Sequence, residues 1–254
     1  MIATALAVAS LLGPAPAGAT QPPVALAASP VRVRLIGKST QTVRITNWGA
    51  SRVVADVGTA GFALGLHGRP RVVRRGSGSS LAASWIAVRP RRLTLAPGRT
   101  GTLTVSSIVP RGANPGDHPA LVLVATRPSE REGVAVRMRI GIVVDVRVPG
   151  TIVHRLALRG LRVRRSSHVP MLELSVTNRG NVTERIGPGR LRVVLLQRGR
   201  VVARPHSGRR ELLPRSRAVE QIPYGGRLTG QVTVLVELRE GVHMIRRRFH
   251  LRIE

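Results

Sequence analysis

Hydrophobic and polar residues alternate along most of this chain. In "GVAVRMRIGIVVDVRVPG" (133–150), Val134, Val136, Met138, Ile140, Ile142, Val144, Val146 and Val148 fall on one parity. Arg137, Arg139, Gly141, Asp145 and Arg147 fall on the other. Successive strand side chains point to opposite faces, so the pattern predicts one long strand with a core face and a largely solvated face. Gly141, in its middle, marks a candidate bulge or bend. A helix would mix the two sets.

The same alternation returns in "VRVRLI" (31–36), "TLTV" (102–105), "MLELSVTN" (171–178), "GQVTVLVELR" (230–239) and "RFHLRI" (248–253). Turn-forming clusters such as "LAPGRTG", "NRGN", "IGPGR" and "PYGGR" lie between these stretches. Many short strands with regular turn signals predict an all-β protein, and no stretch shows a three-turn amphipathic helix. Two copies of Thr-Asn-x-Gly, Thr46–Gly49 and Thr177–Gly180, each follow an early strand. Asn and Gly tolerate the left-handed backbone that tight turns need, so each copy is expected to close one strand and open the next. With Pro149-Gly150 as a boundary, this predicts two β-sandwich domains of similar plan, residues 30–150 and 151–254. Residues 1–29 are set apart as a signal peptide and linker.

That opening segment has an apolar run from Ile2 to Leu12 followed by the small-x-small triplet Ala17-Gly18-Ala19. The run is too short to span a bilayer, which takes about 20 residues, and it fits an export signal. Cysteine is absent, so packing alone must hold the fold. At 2% the aromatic share makes the expected cores aliphatic.

Charge changes the picture more. The formal net charge is +29, and all but Lys38 of the 41 basic residues are arginine. On the predicted strands Arg32 and Arg34 share a face, as do Arg137, Arg139 and Arg147, and Arg162 and Arg164. Guanidinium groups engage phosphate or carboxylate in bidentate fashion, so these seven are candidate contacts for an anionic polymer. A dedicated nucleic-acid role is not expected. Trp48, Trp85, Tyr224, Phe62 and Phe249 are too scattered for a stacking platform, and no recognition helix appears.

Enzyme signatures are missing. No His pair has metal-ligand spacing, "GSGSS" (76–80) is not a nucleophile elbow, and "GTAGFALG" (58–65) precedes no helix. Asp117-His118, the one adjacent acid–imidazole pair, sits in "NPGDHPA" and reads as a turn. Asn181-Val182-Thr183 matches a glycosylation acceptor at the level of chance. No catalytic residue, metal or cofactor is expected.

The stretch "SWIAVRPRRLTLAPGRTGTLTVSSIVPRGANPGDHPALVLVAT" (84–126) resembles the immunoglobulin-like surface domains of WxL-interacting proteins of Gram-positive and actinobacterial type. Pilus-chaperone and other immunoglobulin-like modules share a looser version. The likeness continues through "LELSVTNRGNVTERIGPGRLRVVLLQRGRVVA" (172–203). It implies two tandem immunoglobulin-like domains in an exported, non-enzymatic module, secreted or associated with the cell wall. Peptidoglycan or wall polymer would be one partner, and a surface protein another. The alternative expectation is a chaperone-like module that pairs strands with a secreted subunit.

Overall fold

A computed structural model of the chain describes residues 22, 24–73, 82–127, 129–131, 134–164, 170–225 and 228–253. The leader up to residue 21 and the Gly76–Ser80 loop lie outside these. The first unit contains β1 (Leu26–Ser29), β2 (Arg32–Ile36), β3 (Thr40–Asn47), β4 (Val53–Leu64), β5 (Pro70–Val73) and β6 (Ile86–Arg89). It continues with β7 (Arg92–Leu95), β8 (Thr100–Ser107), β9 (Gly116–Thr126), β10 (Ser129–Arg131), β11 (Val134–Val136) and β12 (Arg139–Val148). The second contains β13 (Leu156–Arg164), β14 (Met171–Asn178), β15 (Glu184–Ile186), β16 (Leu191–Gln197) and β17 (Arg200–Ala203). It ends with β18 (Arg210–Leu212), β19 (Arg217–Pro223), β20 (Gly230–Glu240) and β21 (His243–Ile253). Residues 82–84 form a short 3-10 turn.

Each unit is a sandwich whose core is built from the alternate residues of its strands. In the first, the sheet β1-β3-β8-β6 faces the sheet β2-β12-β9-β4-β5, with β7 paired to β4. Ile142, Val144 and Val146 of β12 are fully buried there, alongside Val43, Leu103 and Val122. In the second, β13-β14-β19 faces β17-β16-β20-β21, and Leu172, Leu174, Val234 and Leu238 are fully buried. Stripes of Val, Leu and Ile stiffen and fill such sheets, and their removal from water drives the packing.

Three expectations need correction. The alternating run at 134–148 is two strands. Among the described residues β11 pairs only with β10, and β12 restarts at Arg139 after a break at 137–138. Gly141 makes no bulge, because the β12–β9 register runs unbroken from Arg139↔Ala125 to Val148↔Gly116. Residues 26–29, placed with the linker, form β1 and pair with β3.

The repeated Thr-Asn-x-Gly motifs occupy equivalent places, with a mechanism different from the one expected. Asn47 and Asn178 are the final residues of β3 and β14, and both are fully buried. The Asn47 Nδ2 donates to the carbonyls of Ser51 (2.8 Å) and Leu95 (3.1 Å), while its Oδ1 accepts from the Gly49 amide (2.9 Å). Asn178 donates to Val182 (2.7 Å), Leu212 (3.2 Å) and Leu213 (3.1 Å) and accepts from Gly180 (2.9 Å). Neither Asn nor Gly in these motifs has a positive φ. The Asn side chain is a local tie between a turn and a neighbouring segment. Glycine at 180 is required by space: a Cβ there would run into the Val153 carbonyl.

Candidate functional site

The joint between the sandwiches is polar and ionic around a small apolar seam. Phe62 and Leu121 of the first unit meet Leu213 of the second. The amides of Asp117 and Val219 donate across the joint to the carbonyls of Asn181 (2.7 Å) and Leu66 (2.8 Å). Asp117, expected in a turn, lies at the start of β9 with its side chain buried. Arg147 grips its two oxygens at 2.6 and 2.8 Å, and the Thr183 amide adds a bond at 2.8 Å. Burial opposes ionisation of this carboxyl, but the Arg147 and Thr183 bonds prevail and hold its pKa below the usual carboxylate range. His118 has no acidic partner of its own among the described residues. Its Nε2 lies 2.8 Å from the Asn114 carbonyl and its ring packs on Trp85. Asn181, matched to a glycosylation acceptor, has its amide tied to the carbonyls of Pro115 (3.0 Å) and Thr151 (2.8 Å).

Beside this joint runs an incomplete strand edge. Strand β12 pairs with β9 along its whole length, but on its other side the parallel partner β2 reaches only Val143 to Arg147. The cause lies upstream. The chain crosses from β1 in one sheet to β2 in the other around Pro30, which has no N–H to offer a ladder. Residues 139–142 therefore have no strand hydrogen-bonded to them on that side, among the described residues, although β1 passes close enough for the Leu26 amide to meet the Met138 sulfur at 3.3 Å.

Hydrogen bonds fix which way the backbone of this edge points. Met138 faces β9, since its carbonyl accepts from the Thr126 amide (2.9 Å) and its amide donates to Thr126 Oγ1 (2.9 Å). The Val143 amide points the other way, to the Val31 carbonyl (3.0 Å). In an antiparallel ladder these directions alternate, so Arg139 and Gly141 present their peptide groups to the open side. The side chains at the edge are mixed. Ile140 is half-buried against the core, Arg137, Arg139 and Gly141 are exposed, and Val31 at the mouth of the gap is 66% exposed.

The structure divides the seven candidate arginines. Arg32, Arg34, Arg139 and Arg147 share the outer face of the β2–β12 pair, and Arg137 precedes it. Arg162 and Arg164 stand apart on β13. Four of the seven are held by the protein's own acids. Arg147 is on Asp117, Arg32 on Glu211 of the second unit and Asp145 (3.4 Å), and Arg162 (2.6 Å) and Arg164 (3.2 Å) are both on Glu173. Arg34, Arg137 and Arg139 have no ion-pair partner among the described residues. Sequence reasoning missed Asp145, Glu211 and the open edge itself, all of which depend on distant segments. No cluster of His, Cys, Asp or Glu suited to a metal occurs among the described residues.

The two units are tandem immunoglobulin-like β-sandwiches. No family model matches the sequence, nor does any curated protein. Solved structures do match. A chaperone–tip adhesin complex of CFA/I fimbriae biogenesis aligns over 88% of this chain and 98% of that one, with TM-score 0.50 and 11% identity. The class 5 fimbriae chaperone CfaA covers 91% and 99% (TM-score 0.49, 10% identity), and the YadV chaperone 89% and 99% (0.47, 14%). These findings overturn the expected kinship with WxL-interacting, peptidoglycan-binding surface proteins. The expected wall-polymer partner, cell-wall association and envelope-binding role fall with it.

Proposed function

We infer that this chain is a non-enzymatic, exported chaperone module that captures a secreted β-rich subunit by lending it a strand edge. The observation that carries this reading is the half-paired β12: a core-anchored strand whose residues 139–142 lack a hydrogen-bonded partner strand on one side, among the described residues. An extended segment of a partner can add there, with main-chain hydrogen bonds giving affinity and alternate side-chain positions giving selectivity. Ile140 and Val31 offer apolar surface to such a segment. The likeness in fold to a chaperone–tip adhesin complex of fimbriae biogenesis supports the same reading.

Backbone pairing is not screened by salt as ion pairs are. The exported chain, tagged and recovered from cells, is expected to retain a partner at about 1 M salt. Bound partner should protect the Arg139 and Gly141 amides from hydrogen exchange. Gly141→Pro removes one open-side N–H, and the partner should then be lost while the fold remains. Retention that is indifferent to Gly141→Pro, with the Arg139 and Gly141 amides of the partner-bound wild-type chain still exchanging, would overturn the proposal.

A further inference from the structure

A second concave site lies in the second sandwich, in a region that the strand-edge reading does not use. It encloses about 570 Å³ between the turn before β16, the segment that follows β17 and the end of β20. The turn is set by the Arg190 amide donating to the Gly187 carbonyl (3.0 Å), and the Arg239 amide reaches across to the Arg190 carbonyl (2.8 Å). The pocket therefore has a hydrogen-bonded backbone frame.

Its walls are mostly apolar in area, and its charged residues are mainly cationic. Arg190, Arg192, Arg204, Arg239 and His206 contribute, against the single carboxylate of Glu237. That carboxylate is already shared between Arg192 (3.6 Å) and Arg246 (3.1 Å). Arg190 is held by Glu184 at 3.0 Å, whose other oxygen meets His154. Arg204 and Arg239 have no acidic partner among the described residues. Ser207 also lines the pocket, at 6% exposure, and its hydroxyl is a buried polar atom without a hydrogen-bond partner.

An arginine-rich chain puts guanidinium groups on much of its surface, so the comparison with the other cavity matters. The cleft between the two sandwiches is of similar size, about 620 Å³, and has one arginine, Arg215, together with His118, Asp117 and a mixture of polar and apolar residues. Cations gather in the second-domain pocket and not in that cleft. Like charges held together without counter-ions favour an anion between them, and planar guanidinium forks suit the oxygens of a phosphate group.

We propose that this pocket binds a phosphate-bearing ligand whose doubly charged group is held by Arg204 and Arg239. Two unpaired guanidiniums balance a group of charge about −2, which a single carboxylate does not supply. The phosphate belongs to a soluble phosphoryl compound or to an anionic lipid headgroup, and the experiment separates the two.

Calorimetric titration of the full chain with inorganic phosphate and with pyrophosphate, at about 0.15 M salt, provides the probe. Wild type should show one saturable site. Arg204→Gln with Arg239→Gln should weaken it by about tenfold or more, the scale of losing a charge-assisted bond. Arg248→Gln with Arg252→Gln removes the same charge from the opposite part of the same sheet and should leave affinity within about twofold, if screening confines the effect to the pocket. Flotation with phosphatidic acid vesicles, and phosphatidylcholine as control, identifies the source. Binding to the acidic vesicles that is lost in the Arg204/Arg239 variant assigns a headgroup, and binding of the free anions alone assigns a soluble ligand. Equal weakening in both double variants, or no saturable binding of either anion, would overturn the site.

Discussion

The Arg147 guanidinium and the Asp117 carboxylate form a two-pronged pair, 2.6 and 2.8 Å, at the point where the first sandwich touches the second. One oxygen of that carboxylate also takes the Thr183 amide of the second unit, so a single acid holds a strand of its own sandwich and the backbone of the other. Because Asp117 is buried, Asn in its place keeps one acceptor oxygen but loses the charge and turns the other oxygen into a donor facing Arg147 or the Thr183 amide. Asp117→Asn is expected to cost about 1.5–3 kcal/mol, measured by urea unfolding at neutral pH.

The same pair sets an acid limit. The folded pKa of Asp117 lies below its unfolded value. Its contribution is therefore complete above the unfolded carboxylate value of about 3.9 and fades as pH falls through the lower folded value. Small-angle scattering should show the two sandwiches losing their fixed relation in that acid window. In Asp117→Asn this pH-dependent step should be absent.

Asp145 works in the opposite sense. Burial pushes its pKa up, against the pull of Arg32, and one of its oxygens has no hydrogen-bond partner. A raised folded pKa means that the charged form is disfavoured by folding at neutral pH, and that this cost shrinks as pH falls through the folded value and is gone below the unfolded one. Asp145→Asn should raise the melting temperature at pH 7, and the gain should shrink on acidification. A variant less stable at pH 7 than wild type would show that the Arg32 contact outweighs burial.

Asn47 and Asn178 should behave as counterparts. Each ties a turn to a neighbouring segment from a fully buried position. Alanine at either leaves buried carbonyls unpaired, at a cost of about 2–3 kcal/mol. Asn47→Ala should lower the unfolding midpoint of the first sandwich, and Asn178→Ala that of the second, when amide exchange is followed domain by domain.

Gly180 and Gly141 test space against conformation. A Cβ at 180 meets backbone of Val153 and Arg155, which cannot step aside, so Gly180→Ala should destabilise by about 1–3 kcal/mol. A Cβ at 141 meets only ordinary contacts, 3.6 Å from Leu121 and 3.7 Å from Leu123. Gly141→Ala should leave the melting temperature nearly unchanged.

Much of the strand content was legible because a half-buried strand writes its two faces into the sequence with period two. "MLELSVTN" became β14 residue for residue, and "GQVTVLVELR" became β20 with one residue added. The 134–148 run misled because parity alone does not reveal whether a strand is continuous. β11 keeps the phase of β12 and pairs elsewhere. Asp117 was misread for a related reason. Pro-Gly-Asp is a turn composition, whereas its role comes from Arg147, 30 residues away, and Thr183, 66 away.

Alternation, turn chemistry and charge count are local or additive properties, so the chain's sequence sufficed to determine an all-β, aliphatic-cored, strongly cationic protein with a repeated Thr-Asn-x-Gly strand end. Which arginines remain unpaired, where β12 lacks a hydrogen-bonded partner and where basic residues gather around a pocket were decided only when distant segments met. Those features depend on hydrogen bonds and ion pairs between strands remote in sequence, and no periodicity encodes such partners.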